Sequence, residues 1–312
     1  MSSDQRLASE ITGSAGIESD MFKRKNIAHL LIHHDKVVGM HAVEGLEIKT
    51  EQIKDGIKID LRLKEGTRVK HPVQMCFGMM PKKGVQHIVL NAVIEKDAHI
   101  DVLAHCTFPN AIDVKHVMDA ELTLEENASY KYYERHIHSD KGGVQVIPKA
   151  KIHVGKHARY ITDFELLKGR VGLIDIDYET TCEEKSTLEM NARVNATHDD
   201  VVKIREIGHL NGAYSKGVLL SRVAVRDQAE AEVYSELTAS AAYARGHVDC
   251  KEIVQDNGVV SAVPIVKVNH PKAHITHEAS LGSVDSKQLQ TLMARGLSED
   301  DATDLIIQGL LQ

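Results

Sequence analysis

The sequence predicts a mainly β fold, a parallel β-helix with short helical segments at its N- and C-termini, and three observations carry the prediction. From Leu61 onward an apolar residue, a spacer and a second apolar residue lead into a three-residue turn, a small residue, a spacer and a further apolar residue. Leu61-x-Leu63 leads to Thr67-x-Val69, Ala92-x-Ile94 to Ala98-x-Ile100, Leu122-x-Leu124 to Ala128-x-Tyr130 and Ile152-x-Val154 to Ala158-x-Tyr160. The small residues are spaced by 31, 30 and 30 positions, and a fixed period of that length is the signature of a solenoid. Second, alternation with period 2 specifies strands, and polar triplets such as Glu125-Glu126-Asn127 and Gly155-Lys156-His157 specify turns between them. Third, no Trp and four Phe suit a narrow interior filled by Val, Ile, Leu and Ala. On alternation alone a β-sandwich with strands of even length stays open.

Three segments follow in order. Residues 1–45 read as an N-terminal helical or irregular segment, with the first 20 or so helical or frayed. Residues 46–284 form the solenoid core, in which weaker copies of the repeat anchor at Ser186, Ala229 and Ala273, the last after a turn one residue longer. A small residue is expected at each anchor because the chain turns a corner there, and a bulky inward side chain would meet the coil above. Residues 285–312 are helical: Ser286 is positioned to cap a helix through Leu289, Leu292 and Met293 that Gly296 stops. Ser298 caps a second, with Asp301 three residues on and an apolar stripe of Ala302, Leu305, Ile306 and Leu310. Helices this short need a surface to pack on.

Composition narrows the functional classes. Net charge is −7, from 38 basic and 45 acidic side chains, and the longest basic run is Lys23-Arg24-Lys25, read as a solvated face. Nucleic acid and anionic membrane are therefore poor partners. The sequence has neither a membrane-length apolar stretch nor a leader-like N-terminus, so a soluble cytoplasmic protein is expected. The four cysteines, Cys76, Cys106, Cys182 and Cys250, are scattered with no Cys-x-x-Cys pair, which points to reduced thiols. Cys182 occupies an apolar slot of the repeat and Cys76 has no distinguishing neighbour. No Gly-x-x-x-x-Gly-Lys-(Ser/Thr) occurs, so any nucleotide hydrolysis has to come from a partner.

The last sixty residues carry the chemistry. Gly246-His247-Val248-Asp249-Cys250 is followed by Thr276-His277-Glu278-Ala279-Ser280, Gln288-Leu289, Met293-Ala294-Arg295-Gly296-Leu297-Ser298-Glu299 and Leu305-Ile306-Ile307-Gln308-Gly309-Leu310. Thiol, imidazole and carboxylate are the donors that bind borderline-soft metals. Arg245, His247 and Lys251 lie close to Cys250 in sequence, and nearby cations lower a thiol's pKa. On a strand, however, His247, Asp249 and Lys251 face one way and Cys250 the other. Glu278 follows Cys250 by 28 residues, close to one repeat, so a single coil is expected to bring the two into lateral register. His105-Cys106 and the His136-x-His138 pair are further metal-compatible motifs that read equally as ordinary strand residues.

This tail resembles that of the SufB/SufD family, scaffold subunits of the SUF iron–sulfur cluster assembly machine, and the match runs without a gap from Pro264 to Leu310. The resemblance implies a right-handed parallel β-helix acting as an assembly scaffold rather than a turnover enzyme. It implies that Cys250 receives sulfur and holds the nascent cluster, that Glu278 occupies the place of a cluster-associated glutamate, and that His277 aligns with a histidine at the SufB–SufD interface. The expected cargo is a transient iron–sulfur cluster held by Cys250, His277 and Glu278. The expected partners are a SufC-like ABC ATPase docked on the tail, a second copy in a homodimer or a paralogue, and recipient apoproteins. The sequence departs from the longer family members in having fewer than about sixty residues before the first repeat and in Gly309-Leu310 where Gly-Phe is usual. The alternatives are a β-helical polysaccharide lyase or acyltransferase, and a cluster-free regulatory partner of an ABC-type ATPase.

Overall fold

The computed structural model describes residues 3–17 and 24–311. Helix α1 (Ser3–Ser14) precedes strands β1 (His29–His33), β2 (Lys36–His41), β3 (Leu46–Ile53), β4 (Gly56–Leu63), β5 (Val73–Gly78) and β6 (Lys83–Ile94). Then come β7 (His99–Phe108), β8 (Asp113–Leu124), β9 (Ser129–His138), β10 (Val144–Val154), β11 (Arg159–Lys168), β12 (Leu173–Cys182) and β13 (Thr187–Ala196). The chain continues through β14 (Val201–Leu210), β15 (Lys216–Val225), β16 (Glu230–Ala239), β17 (Arg245–Val254), β18 (Val259–Val268) and β19 (His274–Gly282) to helices α2 (Ser286–Met293) and α3 (Glu299–Leu311). From β4 on, even-numbered strands pair in parallel in one sheet; from β5 on, odd-numbered strands do so in the other. The result is a β-solenoid of about eight turns, with each coil contributing one strand to each sheet and the apolar residues of both meeting in one continuous core.

The corners explain the repeat. At Ala98, Ala128 and Ala158 the anchor N–H donates to the carbonyl three residues back at 3.1 Å, and the preceding residues, Asp97, Asn127 and His157, are left-handed with φ near 60°. Asp, Asn and His are among the side chains that best tolerate that conformation. The anchors are fully buried, as close stacking of coils requires. The ladder continues at Ser186, Ser215, Ala244 and Ala273, so the period shortens from 30 to 28 and then 29 residues. Ala229 belongs to the opposite corner, between β15 and β16. Ser215 and Ala244 were hidden because glycines replace apolar residues in their frames. A Cβ at Gly208, Gly217 or Gly246 would stand 2.7, 3.1 or 2.3 Å from the side chain of Leu237, which fills the space those glycines vacate.

The first 45 residues are not simply helical or irregular. β1 pairs in parallel with β5 and antiparallel with β2, so this hairpin extends the odd sheet, while the β3–β4 hairpin closes the even one. Helix α1 lies on the outer face of the odd sheet, where Ile11 and Ala15 meet Leu31 and Cys76. Of the basic run, Lys23 is outside the described residues and Arg24 and Lys25 are exposed; residues 18–20 of the expected N-terminal helix are also outside them.

Two details of the tail differ from expectation. Asp285, not Ser286, caps α2, its carboxylate accepting from the Gln288 N–H at 2.7 Å. Ser298 does cap α3: its Oγ accepts from the Asp301 N–H at 3.1 Å and donates to the Asp301 carboxylate at 2.6 Å. The face of α3 that is buried comprises Ala302, Thr303, Ile307 and Leu311, packed on Ala224 and Val284, so the solenoid itself covers most of the helix's apolar surface. The Arg193 guanidinium donates to the Leu311 carbonyl at 3.1 Å, and Arg226 pairs with Asp304. Leu305 and Met293 remain exposed. No described helix is long and apolar enough to cross a membrane.

Candidate functional site

Cys250 lies on the inner face of β17, fully buried and part of the main core. In parallel register Cys250 meets Ala279, Val248 meets His277 and Asp249 meets Glu278. The coil here measures 29 residues, so the 28-residue interval leaves Glu278 one position short of Cys250. Because side chains alternate, that single position moves Glu278 to the other face of the sheet. The expected lateral contact between Cys250 and Glu278 is thus corrected: Cys250 and His277 share the inner face, and Glu278 stands outside.

The surroundings of the thiol also differ from expectation. Ser221 on β15 is its register neighbour, and Ser221 Oγ donates to Glu252 Oε1 at 2.8 Å. Burial pushes the Cys250 thiol up, with Glu252 and Glu206 adding to the shift and the Ser221 and Ser235 hydroxyls opposing it. Lys251 and Arg222 act on the opposite face, where Lys251 Nζ sits 3.4 Å from Asp249 and 3.9 Å from Glu278, and Arg222 Nη2 bonds Asp249 at 2.5 Å. They do not turn Cys250 into a thiolate. Two lumen acids hold their protons unusually well: burial raises Glu206 to about 8 and Glu252 to about 7. Burial thus holds Cys250 as a thiol beside acids whose carboxyls it also raises, and a metal ion that engages the thiol must displace its proton.

This region lies at one end of the solenoid. β18 and β19 each pair on one side only, and their apolar residues are left uncovered: Val259 is 60% exposed, Val268 49% and Leu281 47%. His277 and Glu278 are exposed on this rim, and Cys250 is one coil beneath it. At the other end the β1–β2 and β3–β4 hairpins finish the sheets with antiparallel strands.

A second polar group lies in the lumen five strands away within the odd sheet. Cys106 on β7 and Glu134 and His136 on β9 meet His116, which crosses from β8 of the even sheet. His105 points outward, and burial lowers it to about 4 and keeps it a neutral ring. His136 and His138 both lie inside rather than on a solvated face, and are buried. Cys182 and Cys76 are buried thiols that burial pushes up to about 12. His116 and Glu134 were not singled out from the sequence, although a signal existed, since Glu134 and His136 follow Cys106 by 28 and 30 residues, one repeat away.

Residues 79–310 match the family model described as SUF system FeS cluster assembly, SufBD core domain. The chain is 37% identical over 302 residues to an iron–sulfur cluster assembly SufBD family protein of Pyrococcus horikoshii, covering 97% of this chain and 92% of that one. A SufBD family protein of Methanocaldococcus jannaschii is 36% identical over 282 residues, 90% of this chain and 89% of the relative. The similarity to the iron–sulfur cluster assembly protein SufB of Bacillus subtilis is confined to 70 residues at 33% identity, 22% of this chain and 15% of the relative.

Proposed function

The chain belongs to the SufBD family of iron–sulfur cluster assembly proteins, and on that premise we propose that it is a scaffold on which a cluster, its cargo, is built at the open rim of the solenoid. The observation that carries the reading is the placement of Cys250 one coil below an unfinished rim with His277 on the same face of the terminal strand. A soft thiol and a borderline imidazole converge there, while Glu278 offers a hard oxygen donor from the outer face. Mixed ligation of this kind holds a cluster weakly enough to release it.

The unpaired edges of β18 and β19, with Val259 and Val268 exposed on the first and Leu281 on the second, favour burial against a second copy, meeting rim to rim about a two-fold axis. That arrangement brings Cys250, His277 and Glu278 of one chain toward their counterparts and lets Glu278 reach the cargo from outside the coil. When ferrous iron engages Cys250, the thiolate forms the bond to iron and the released proton passes to the lumen, where Glu252, its pKa raised to about 7, accepts it. The reading assigns energy supply to a SufC-like ATPase that docks on the tail through the surface left open, around Met293 and Leu305. Transfer to recipient apoproteins follows in the cytoplasm. Anaerobic reconstitution with iron and sulfide tests the scaffold role: a visible chromophore that tracks with dimer in sedimentation is expected, and a colourless protein overturns it.

A further inference from the structure

Inside the solenoid, far from the rim, Cys106 Sγ lies 3.8 Å from His116 Nε2 and 3.5 Å from Glu134 Oε1. The thiol, imidazole and carboxylate atoms all fall within 4.8 Å of one another, and all three residues are buried. Zinc–ligand bonds of about 2.3 Å to sulfur and about 2.0 Å to nitrogen or oxygen place tetrahedral donors roughly 3.5 Å apart, close to the two separations from Cys106 Sγ.

Among the described residues no Lys or Arg pairs with Glu134; its one ionic neighbour is His136, with Nε2 at 2.9 Å from Oε1. His136 Nδ1 is 3.2 Å from His138 Nε2, and His138 Nδ1 is 3.1 Å from the Arg170 carbonyl. Glu134 Oε2 has no partner although Glu134 is 2% exposed, and the buried His116 ring is aimed at the Cys106 thiol with its own Nδ1 unpartnered. An unpartnered buried carboxylate oxygen is costly.

We propose that Cys106, His116 and Glu134 bind one divalent cation of the zinc or ferrous-iron class inside the lumen. Cys106 gives up its proton and ligates as thiolate, His116 ligates through Nε2, and Glu134 through its carboxylate. The His136–His138–Arg170 chain of hydrogen bonds orients the carboxylate from behind through His136 Nε2. Because Cys106 and Glu134 come from the odd sheet and His116 from the even one, the ion ties the two walls of the solenoid together. The site is separate from the rim and stands whether or not the rim assembles clusters.

The test uses cobalt(II) in the full-length chain carrying Cys250→Ser, which removes the rim thiol. Protein produced in cobalt-supplemented medium is expected to hold one cobalt per chain with a thiolate-to-cobalt charge-transfer band. Adding Cys106→Ser should abolish the band, and His138→Asn, which disturbs only the supporting chain, should weaken cobalt binding by about 10–100-fold. Should Cys106→Ser fail to fold, His116→Gln serves instead and should cost the cobalt. A Cys250→Ser protein that folds without cobalt, or a band that survives both Cys106→Ser and His116→Gln, overturns the assignment. Metal analysis of protein from iron- and zinc-replete cells then decides which of the two ions occupies the site.

Discussion

Glu206→Gln gives the most quantitative test of how the lumen is built. Glu206 is 2% exposed, its Oε2 has no partner, and burial alone raises its pKa from the ordinary 4.5 to about 8. An acid whose folded pKa is raised contributes stability that is intact below its unfolded pKa and is lost as pH rises through the folded one. The window is therefore about pH 4.5 to 8. Linkage gives a penalty of order 1 kcal/mol at pH 5 and of order 3 kcal/mol at pH 7, so roughly 2 to 3 kcal/mol disappears between them. For a chain of 312 residues this corresponds to roughly 4 °C in thermal midpoint. Gln keeps the shape and cannot ionise, so the fall in midpoint from pH 5 to pH 7 should be smaller by that amount in the variant. Glu252, raised to about 7 by burial, leaves a residual slope of the same sign in both proteins. Differential scanning calorimetry at several pH values is the assay. Parallel profiles for the two proteins would mean that Glu206 is hydrated and that the lumen near Cys250 is not a low-dielectric interior.

Other outcomes can be checked together. Cys250→Ser should eliminate the cluster chromophore and sulfide retention at unchanged circular dichroism, since Ser nearly preserves size; sulfide retained at wild-type content refutes the thiol's role. His277→Ala should weaken both dimerisation and cluster retention, whereas His153→Ala, on the outer face of β10 beside Glu183, should change neither; sedimentation with metal analysis decides. His136→Ala breaks a buried hydrogen-bonded chain and should lower the thermal midpoint. Ile307→Ala should cost about 2–5 kcal/mol, read as an early melt, because α3 packs on the solenoid; an unshifted midpoint would return that helix face to a partner.

The fold was legible because a solenoid writes itself into sequence once per coil. Ala98, Ala128 and Ala158 keep time, and the corner geometry explains why only small residues serve. The parts that were not legible share a cause: a strand's alternation makes every inference sensitive to a one-residue shift. A period of 29 rather than 30 separates Glu278 from Cys250 by the thickness of a sheet. The same arithmetic applied to Cys106 would have found Glu134 and His136, but His116 comes from the facing sheet, and cross-lumen pairing has no sequence period. The N-terminal hairpin escaped because β2 runs antiparallel outside the repeat, and the buried side of α3 because Leu305 and Ile307 are both apolar and only packing chooses between them.

The unequal ends of the solenoid have a consequence for how many chains come together. A repeat protein with two open rims polymerises, and one with two finished ends stays alone. Here antiparallel hairpins make up one end and the parallel strands β18 and β19 the other, so the proposed rim-to-rim pairing would use a single end of each chain. On that proposal the series stops at two members, and sedimentation showing longer assemblies would refute it. Insertion or deletion of a whole coil would then lengthen or shorten the body without altering that number.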